Sequence, residues 1–257
     1  MLISLITDQR HSAQELDLVN KLAKSIGLEL STVAGPENYL VLDESGLKYY
    51  LSGTKGPVLA LDFVSEYSSF MRQVSKTAAG PLKKAMGKGI KKDDTVVDAT
   101  CGTGKDSLLF LSWGFKVLAF ERHPLMFLLL QVAFEHLRRA YPELTGRFEL
   151  FFGDVSNHGE LLQEKKSSVL YFDPMFSELG KQKKSLPRQE MVVFSQLIGP
   201  DCDQEQVLQK LLLLPLARIV VKRPLKAAPW EGLVPLASFP GKSVRYDLFR
   251  GPIITNL

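Results

Sequence analysis

The segment Val169-Leu-Tyr-Phe-Asp-Pro-Met-Phe176 runs a short apolar stretch into an acid, a proline and an aromatic ring. A buried strand that ends this way offers three groups: the Asp173 carboxylate, the Pro174 backbone carbonyl and the Phe176 ring. Proline lacks an N–H and its ring fixes φ, so the turn that would present those acceptors is preset. Two acceptors aimed at the hydrogens of an exocyclic amine on a nucleobase draw its nitrogen toward sp³ geometry. The lone pair, otherwise delocalised into the ring, can then attack an electrophilic methyl group in line. Phe176 is suited to stack on the base. Asp173, Pro174 and Phe176 are therefore the catalytic candidates, against the plainer alternative of a strand-end turn beside a core phenylalanine.

A second segment, Val96-Val-Asp-Ala-Thr-Cys-Gly-Thr-Gly-Lys-Asp106, reads as a strand that ends in Asp98, then a Gly-X-Gly turn that opens a helix. Doubly wound sheets bind ligands at the carboxyl ends of their strands. Gly102 and Gly104 allow positive φ and close approach of a ligand to the backbone. The Walker A spacing fails, because Ala99 stands where its first glycine belongs and Asp106 follows Lys105 where Ser or Thr is needed. The dinucleotide fingerprint fails at Ser107, where a third glycine is wanted. S-adenosylmethionine has no phosphate to cradle, and Asp98 suits the ammonium group of its methionine part. Glu121 ends the next strand, roughly 20 residues on, where a carboxylate hydrogen-bonds ribose hydroxyls. Asp154, in Phe151-Phe-Gly-Asp, ends the third and suits the adenine amino group. A solvated strand end or a helix cap is the simpler reading of either acid taken alone.

Basic residues cluster near both segments. Lys181-Gln-Lys-Lys184 and Arg188 follow the Asp-Pro-Met-Phe tetrad, and Val220-Val-Lys-Arg-Pro224 puts Lys222 and Arg223 at the end of a later strand. Phosphate contacts from such side chains give salt-dependent affinity for nucleic acid. Lys181, Lys183, Lys184, Lys222 and Arg223 are the expected RNA contacts. His11, His123, His136 and His158 lack metal-ligand spacing, and no metal site is expected. Cys101 reads as a small packing residue. The tetrad region lacks the cysteine that a cytosine C5 methyltransferase would use.

These groups need a sheet to align them. From Thr95 onward strands and helices alternate. Strands are expected at Val96-Val97, Phe115–Phe120, Phe148–Phe152, Ser168–Phe172 and Arg218–Val221. Helices are expected at Lys105–Trp113, Pro124–Tyr141, Gln189–Ile198 and Gln204–Leu214. Alternation of this kind argues a mostly parallel, doubly wound sheet. Leu233–Phe239 and Val244–Arg250 close it as an antiparallel hairpin. Residues 1–75 read as a small β-rich domain with one helix at His11–Ile26. Residues 76–94, polar and lysine-rich, read as a connector with a short helix at Pro81–Met86, and residues 95–257 as the catalytic core.

The composition agrees. The 257 residues hold 45% apolar and 23% charged side chains, which suits a soluble globular protein. Net charge is +4, from 32 basic and 28 acidic residues, which permits a nucleic-acid partner without demanding one. Two distant cysteines, Cys101 and Cys202, build no disulfide framework and imply a reducing compartment. Met1–Ile6 lacks a basic lead and reads as a first strand rather than a signal peptide. The longest apolar runs are far too short to span a bilayer, so a cytoplasmic protein without membrane contact is expected.

The chain resembles the bacterial ribosomal RNA small subunit methyltransferase J family, the 16S rRNA guanine-N2 methyltransferases. The likeness lies in Val97-Asp-Ala-Thr, Gly104-Lys-Asp106, Glu121-Arg122 and above all Asp173-Pro-Met-Phe176. It continues through Lys181-Gln-Lys, Glu190-Met191, Val193-Phe-Ser-Gln-Leu, Gly199-Pro-Asp201 and Val220-Val-Lys-Arg-Pro224. It covers roughly residues 58–250. The resemblance implies an α/β fold, a class I S-adenosylmethionine-dependent methyltransferase. Such a core is Rossmann-like, a seven-stranded mostly parallel sheet with an antiparallel C-terminal hairpin, here behind a small α+β N-terminal domain. It implies cofactor contacts at Lys105, Asp106, Glu121, Arg122, Asp154, Val155 and Asp173, beside Asp98, Gly102 and Gly104 from the loop itself. The implied reaction leaves S-adenosylhomocysteine and a methylated guanosine N2 near the 3′ end of 16S rRNA, free or in the small subunit; separately from the resemblance, a monomer is expected. Arg72 opens the stretch where the family is basic and glycine-rich; here that stretch has fewer glycines and no second arginine. Asp154-Val155 stands where the family commonly has small hydroxyl residues. Adenine-N6 and protein-glutamine methyltransferases would want Pro-Pro-Tyr at Pro174–Phe176. A non-catalytic ribosome-assembly factor of this fold would have no need of Asp98, Glu121 and Asp173 together.

Overall fold

The computed structural model describes residues 2–7, 13–32, 38–174, 203–214, 216–228 and 230–252. Contacts divide the chain into two units. One draws on Met1–Ser65 and Arg122–Glu143, the other on Glu66–Glu121, Leu144–Ser177 and Asp201–Leu257.

The first unit is a five-stranded mixed sheet ordered β2-β1-β3-β4-β5. Its strands are β1 (Leu2–Thr7), β2 (Glu29–Ser31), β3 (Asn38–Asp43), β4 (Gly46–Leu51) and β5 (Leu59–Ala60). Helix α1 (Ala13–Ser25) carries the chain from β1 to its parallel neighbour β2, since parallel strands need a crossover. Strands β3 and β4 form a hairpin whose turn ends at Gly46, φ +116°, a backbone shape that L side chains rarely adopt. Across that hairpin Tyr39 and Tyr50 stack with ring centroids 5.1 Å apart. Helix α6 (Pro124–Ala140) starts with proline at its first turn. It packs on α1 and β4 and buries Leu125 through Leu130 without a gap. A helix apolar nearly all round is a buried helix.

The second unit holds a seven-stranded sheet ordered β11-β12-β10-β9-β6-β7-β8. These are β6 (Thr95–Asp98), β7 (Lys116–Glu121), β8 (Phe148–Phe152), β9 (Ser167–Phe172), β10 (Ile219–Pro224), β11 (Ala237–Pro240) and β12 (Val244–Phe249). Strands β6 to β10 pair in parallel, and β12 runs antiparallel to both β10 and β11. The chain moves outward from β6 to β7 and β8, then returns to β9 on the other side of β6. That reversal is the topological switch point, where doubly wound sheets open a crevice. One face packs Val97, Leu170, Phe172, Ile219 and Val221 against helix α8 (Gln204–Leu211) and its flanking leucines. The other face is covered by α5 (Lys105–Ser112).

Two expectations need correcting. The N-terminal 75 residues contain a second helix, α2 (Phe63–Arg72), hidden in the sequence by three serines of modest helix propensity. Asp62 starts it by accepting from the Ser65 N–H at 3.0 Å. The lysine-rich stretch is more than a solvated connector. After α3 (Val74–Thr77), helix α4 (Pro81–Met86) buries Leu82, Ala85 and Met86 and packs on β11 and β12. Helix α7 (Gly159–Glu164) before β9 was also unforeseen. The helix expected at Gln189–Ile198 lies outside the described residues. Among the described residues no helix is long and apolar enough to cross a membrane.

Candidate active site

The carboxyl ends of β6, β7, β9 and β10 converge on the switch point. β6 ends in Asp98, and backbone bonds from Ala99 N to Tyr171 O (2.8 Å) and Cys101 N to Phe120 O (2.9 Å) extend its pairing to both sides. The chain then turns through Gly102 and Gly104, with φ of +57° and +77°. Gly104 is the residue before α5, and a left-handed shape there aims the first N–H groups of the helix outward.

The loop is held by acids and hydroxyls. Glu121, 6% exposed, accepts from Gly102 N at 3.0 Å. Asp98 is 1% exposed and accepts from Ser107 Oγ at 2.6 Å and Thr100 N at 3.2 Å. Burial pushes the Asp98 carboxyl up to about 7; the Asp106 and Asp173 charges add to that, while the Ser107 and Thr100 hydrogen bonds oppose it. Burial, with the charges of Asp98 and Glu121 nearby, also raises the Cys101 thiol, so it is an inert packing group as expected. Lys105 pairs with Glu66 of α2 at 3.4 Å.

The second half of the site is ionic. Lys222 Nζ donates to Asp173 Oδ2 at 2.7 Å and to Asp106 Oδ2 at 3.1 Å. Tyr171 OH donates to the same Asp106 oxygen at 2.6 Å, and its ring is wedged edge-on against Phe110. Asp173 N donates to Thr100 Oγ1 at 2.8 Å, which ties the tetrad to the glycine loop. Burial works against the Lys222 ammonium, and the Asp106 and Asp173 carboxylates overcome it, so its pKa is raised. Across the β10–β12 ladder Tyr246 faces Lys222; burial pushes its phenol up to about 12, against the pull of Lys222.

Strand alternation explains which side chains meet. On β9, Tyr171 points toward α5 while Leu170 and Phe172 enter the opposite core. On β10, Lys222 shares the α5 face, while Val221 lies in that opposite core. Arg223 follows the Val221 side. It is 6% exposed, with its guanidinium 3.9 Å over the Trp230 ring.

Several expected residues therefore have different surroundings from those foreseen. Lys222 is bound to two carboxylates, so its charge is already engaged and is not offered to an RNA phosphate. Arg223 is buried on an indole and likewise does not present its charge to solvent. The Val155 side chain is 1% exposed in the apolar cluster, which leaves its backbone for any ligand contact. Asp154 caps the short turn Val155–Asn157 through Ser156 N at 2.8 Å. Arg72 is exposed at the end of α2, bonded to Ser68, about 9 Å along the helix axis from Glu66. Arg122 is exposed and belongs to the first unit. Pro174 is buried directly after Asp173. Met175, Phe176, Lys181, Lys183 and Lys184 lie outside the described residues. Among the described residues no His, Cys, Asp and Glu cluster could hold a metal ion.

Thr100, Ser107, Tyr171 and Tyr246 were not foreseen. Only Thr100 and Ser107 had a signal, as hydroxyls in and just past the glycine loop. The two tyrosines become visible only once strand register is known.

Comparison with known proteins agrees with this architecture. Residues 21–251 match the family described as "Putative SAM-dependent methyltransferase". The chain is 33% identical to Ribosomal RNA small subunit methyltransferase J of Pseudomonas aeruginosa, over 94% of this chain and 93% of that protein. It is 31% identical to the protein of the same name from Thioalkalivibrio sulfidiphilus, over 93% and 96%. A crystal structure of a SAM-dependent methyltransferase from Neisseria gonorrhoeae shares the fold. It has a TM-score of 0.68 and 24% identity, covering 96% of this chain and 95% of that one.

Proposed function

The chain belongs to the ribosomal RNA small subunit methyltransferase J family of S-adenosylmethionine-dependent methyltransferases, and on that premise we propose that it methylates the N2 amine of a guanosine near the 3′ end of 16S rRNA. The residues at the strand ends suit the cosubstrate. Gly102 and Gly104 bring bare backbone to the crevice, and carboxylates stand at successive strand ends for an ammonium group, ribose hydroxyls and an adenine amine. Lys105, the cation of the loop, is occupied by Glu66, which suits a ligand without phosphates. Asp98, Gly102, Gly104, Lys105, Asp106, Glu121, Arg122, Asp154 and Val155 are the residues proposed to hold it.

Bound S-adenosylmethionine supplies a methyl group on a sulfonium. The protein supplies orientation and charge. The Asp173 carboxylate and the Pro174 carbonyl accept the two amine hydrogens, and Phe176 stacks on the guanine. The nitrogen then presents its lone pair toward the glycine loop. Methyl transfer to that nitrogen would leave the C–S electron pair on sulfur, giving S-adenosylhomocysteine. One amine proton passes to the Asp173 carboxylate and on to water. A methylated amine that has just lost its lone pair is strongly acidic, so a weak base suffices. Guanine N2 faces the minor groove in a helix, so the base is taken splayed out or flipped. Arg72, Lys181, Lys183 and Lys184 are the proposed phosphate contacts.

The observation that best supports this reading is the bond from Asp173 N to Thr100 Oγ1, which ties the proposed amine acceptor to the glycine loop. The test is methyl transfer from labelled S-adenosylmethionine to 30S subunits and free 16S rRNA from a strain lacking the protein. Mass spectrometry of the nucleosides is expected to find N2-methylguanosine near the 3′ end. Label on adenine N6, on protein, or on neither acceptor would overturn it.

A further inference from the structure

We infer that Lys222 is the positioning residue for Asp173, fixing its carboxylate at the end of β9 and keeping it ionised as the acceptor of the substrate amine. The inference rests on the methyl-transfer reading above. Three carboxylates, Asp98, Asp106 and Asp173, meet where β6 and β9 end and α5 begins, and the charges of Asp106 and Asp173 raise the pKa of Asp98. Like charges gathered this way repel one another, and a cation between them offsets that repulsion. Lys222 of β10 is that cation, 2.7 Å from Asp173 and 3.1 Å from Asp106.

The groups around it define what it can do. Tyr171 of β9 donates to Asp106, and Tyr246 of β12 stands across the ladder with a phenol that stays protonated in the physiological range. Neither takes a positive charge, so neither can replace the ammonium. Thr100 anchors the backbone of Asp173, and Lys222 anchors its side chain. A protonated Asp173 would keep one oxygen as a donor and could neither accept the amine hydrogen there nor take the proton released by methyl transfer.

The test is the pH dependence of kcat with the acceptor RNA at saturating S-adenosylmethionine, so that titration of Asp98 in cosubstrate binding does not enter. Lys222→Met is expected to move the acid limb of kcat upward by about one pH unit or more. At pH values below the limb the loss is then about tenfold or more, and it recovers as pH rises. Lys222→Arg is expected to restore the limb to its wild-type position at reduced kcat. Binding of S-adenosylhomocysteine checks that the variant is folded, and Lys222→Gln takes its place if it is not. A uniform loss of kcat with an unmoved limb overturns the inference, because a purely structural role would look like that. So does a salt-dependent rise in KM for RNA at unchanged kcat, the signature of a phosphate contact. A wild-type enzyme that makes no N2-methylguanosine would overturn the underlying reading instead.

Discussion

The two halves of the crevice are built from different interactions. At the ends of β6 and β7 the chain is held by buried hydrogen bonds: Gly102 N to Glu121, Thr100 N and Ser107 Oγ to Asp98. At the ends of β9 and β10 it is held by charge, through Lys222 between Asp106 and Asp173. The acids of the first half are 1% and 6% exposed, while the Asp106, Asp173 and Lys222 side chains keep about a quarter of their surface in water. Buried hydrogen bonds suit a fixed shape for a ligand that is the same in every turnover. An ionic, solvated cluster leaves polar groups at hand for a macromolecular substrate that enters and leaves. On the proposed reading the first half holds the cosubstrate, the second half carries the chemistry, and Asp106 is shared between them.

The comparison breaks first at Asp173. Asp173→Ala is expected to lower kcat by about 10²- to 10⁴-fold, the usual worth of a positioned proton acceptor. S-adenosylhomocysteine affinity, measured by calorimetry, should weaken far less. Near-normal turnover would move the chemistry elsewhere. Glu121→Ala should behave in the opposite sense. It strands the Gly102 N–H, which costs about 1–3 kcal/mol. The dissociation constant for S-adenosylhomocysteine should rise roughly tenfold to a hundredfold, with kcat at saturation little changed.

The third test uses pH. An ammonium ligand favours the ionised form of Asp98, whose folded pKa is about 7. Affinity for S-adenosylhomocysteine should therefore rise as pH rises through about 7 and level off above it. One unit below that point the loss is about tenfold, and Asp98→Asn should flatten the curve. The free protein has the reverse dependence. A raised carboxyl pKa means the folded state binds the proton more tightly than the unfolded chain. Stability is thus greatest on the acid side of that window and declines as pH rises from the ordinary carboxylate range through about 7. Thermal melts across pH, compared with Asp98→Asn, would show that slope or its absence. The smallest expected effect is that of Gly104→Ala. At φ +77° a methyl group costs about 1–2 kcal/mol, read as a drop in Tm of several degrees.

Much of the first half was legible in the sequence. A strand that ends in an acid, followed by two spaced glycines, has few other uses, and Glu121 and Asp154 fall at the ends of the next strands in order. The end of β9 just before Asp173 was legible for the same reason. The ionic half was not. Lys222 meets Asp106 across 116 residues and Asp173 across 49, and no local pattern encodes which strands become neighbours. Lys222 and Arg223 were read as one basic pair, but strand side chains alternate faces. One therefore enters the site and the other the opposite core. Helix α2 was missed because Asp62 capping and the buried Phe63 and Tyr67 are weak signals among serines.

The placement of Arg223 on Trp230 has one more consequence. The chain holds two tryptophans. Trp113 sits at the end of α5, donating to Thr77 with Lys83 over its ring, while Trp230 lies against the residue next to Lys222. Their emission reads two different places in the second unit. Replacing Trp113 with phenylalanine leaves Trp230, on the loop after β10, as the single tryptophan, and a displacement of Arg223 at that strand end is expected to change its emission. Where substrate arrival moves that strand end, stopped-flow fluorescence would time the event without a label.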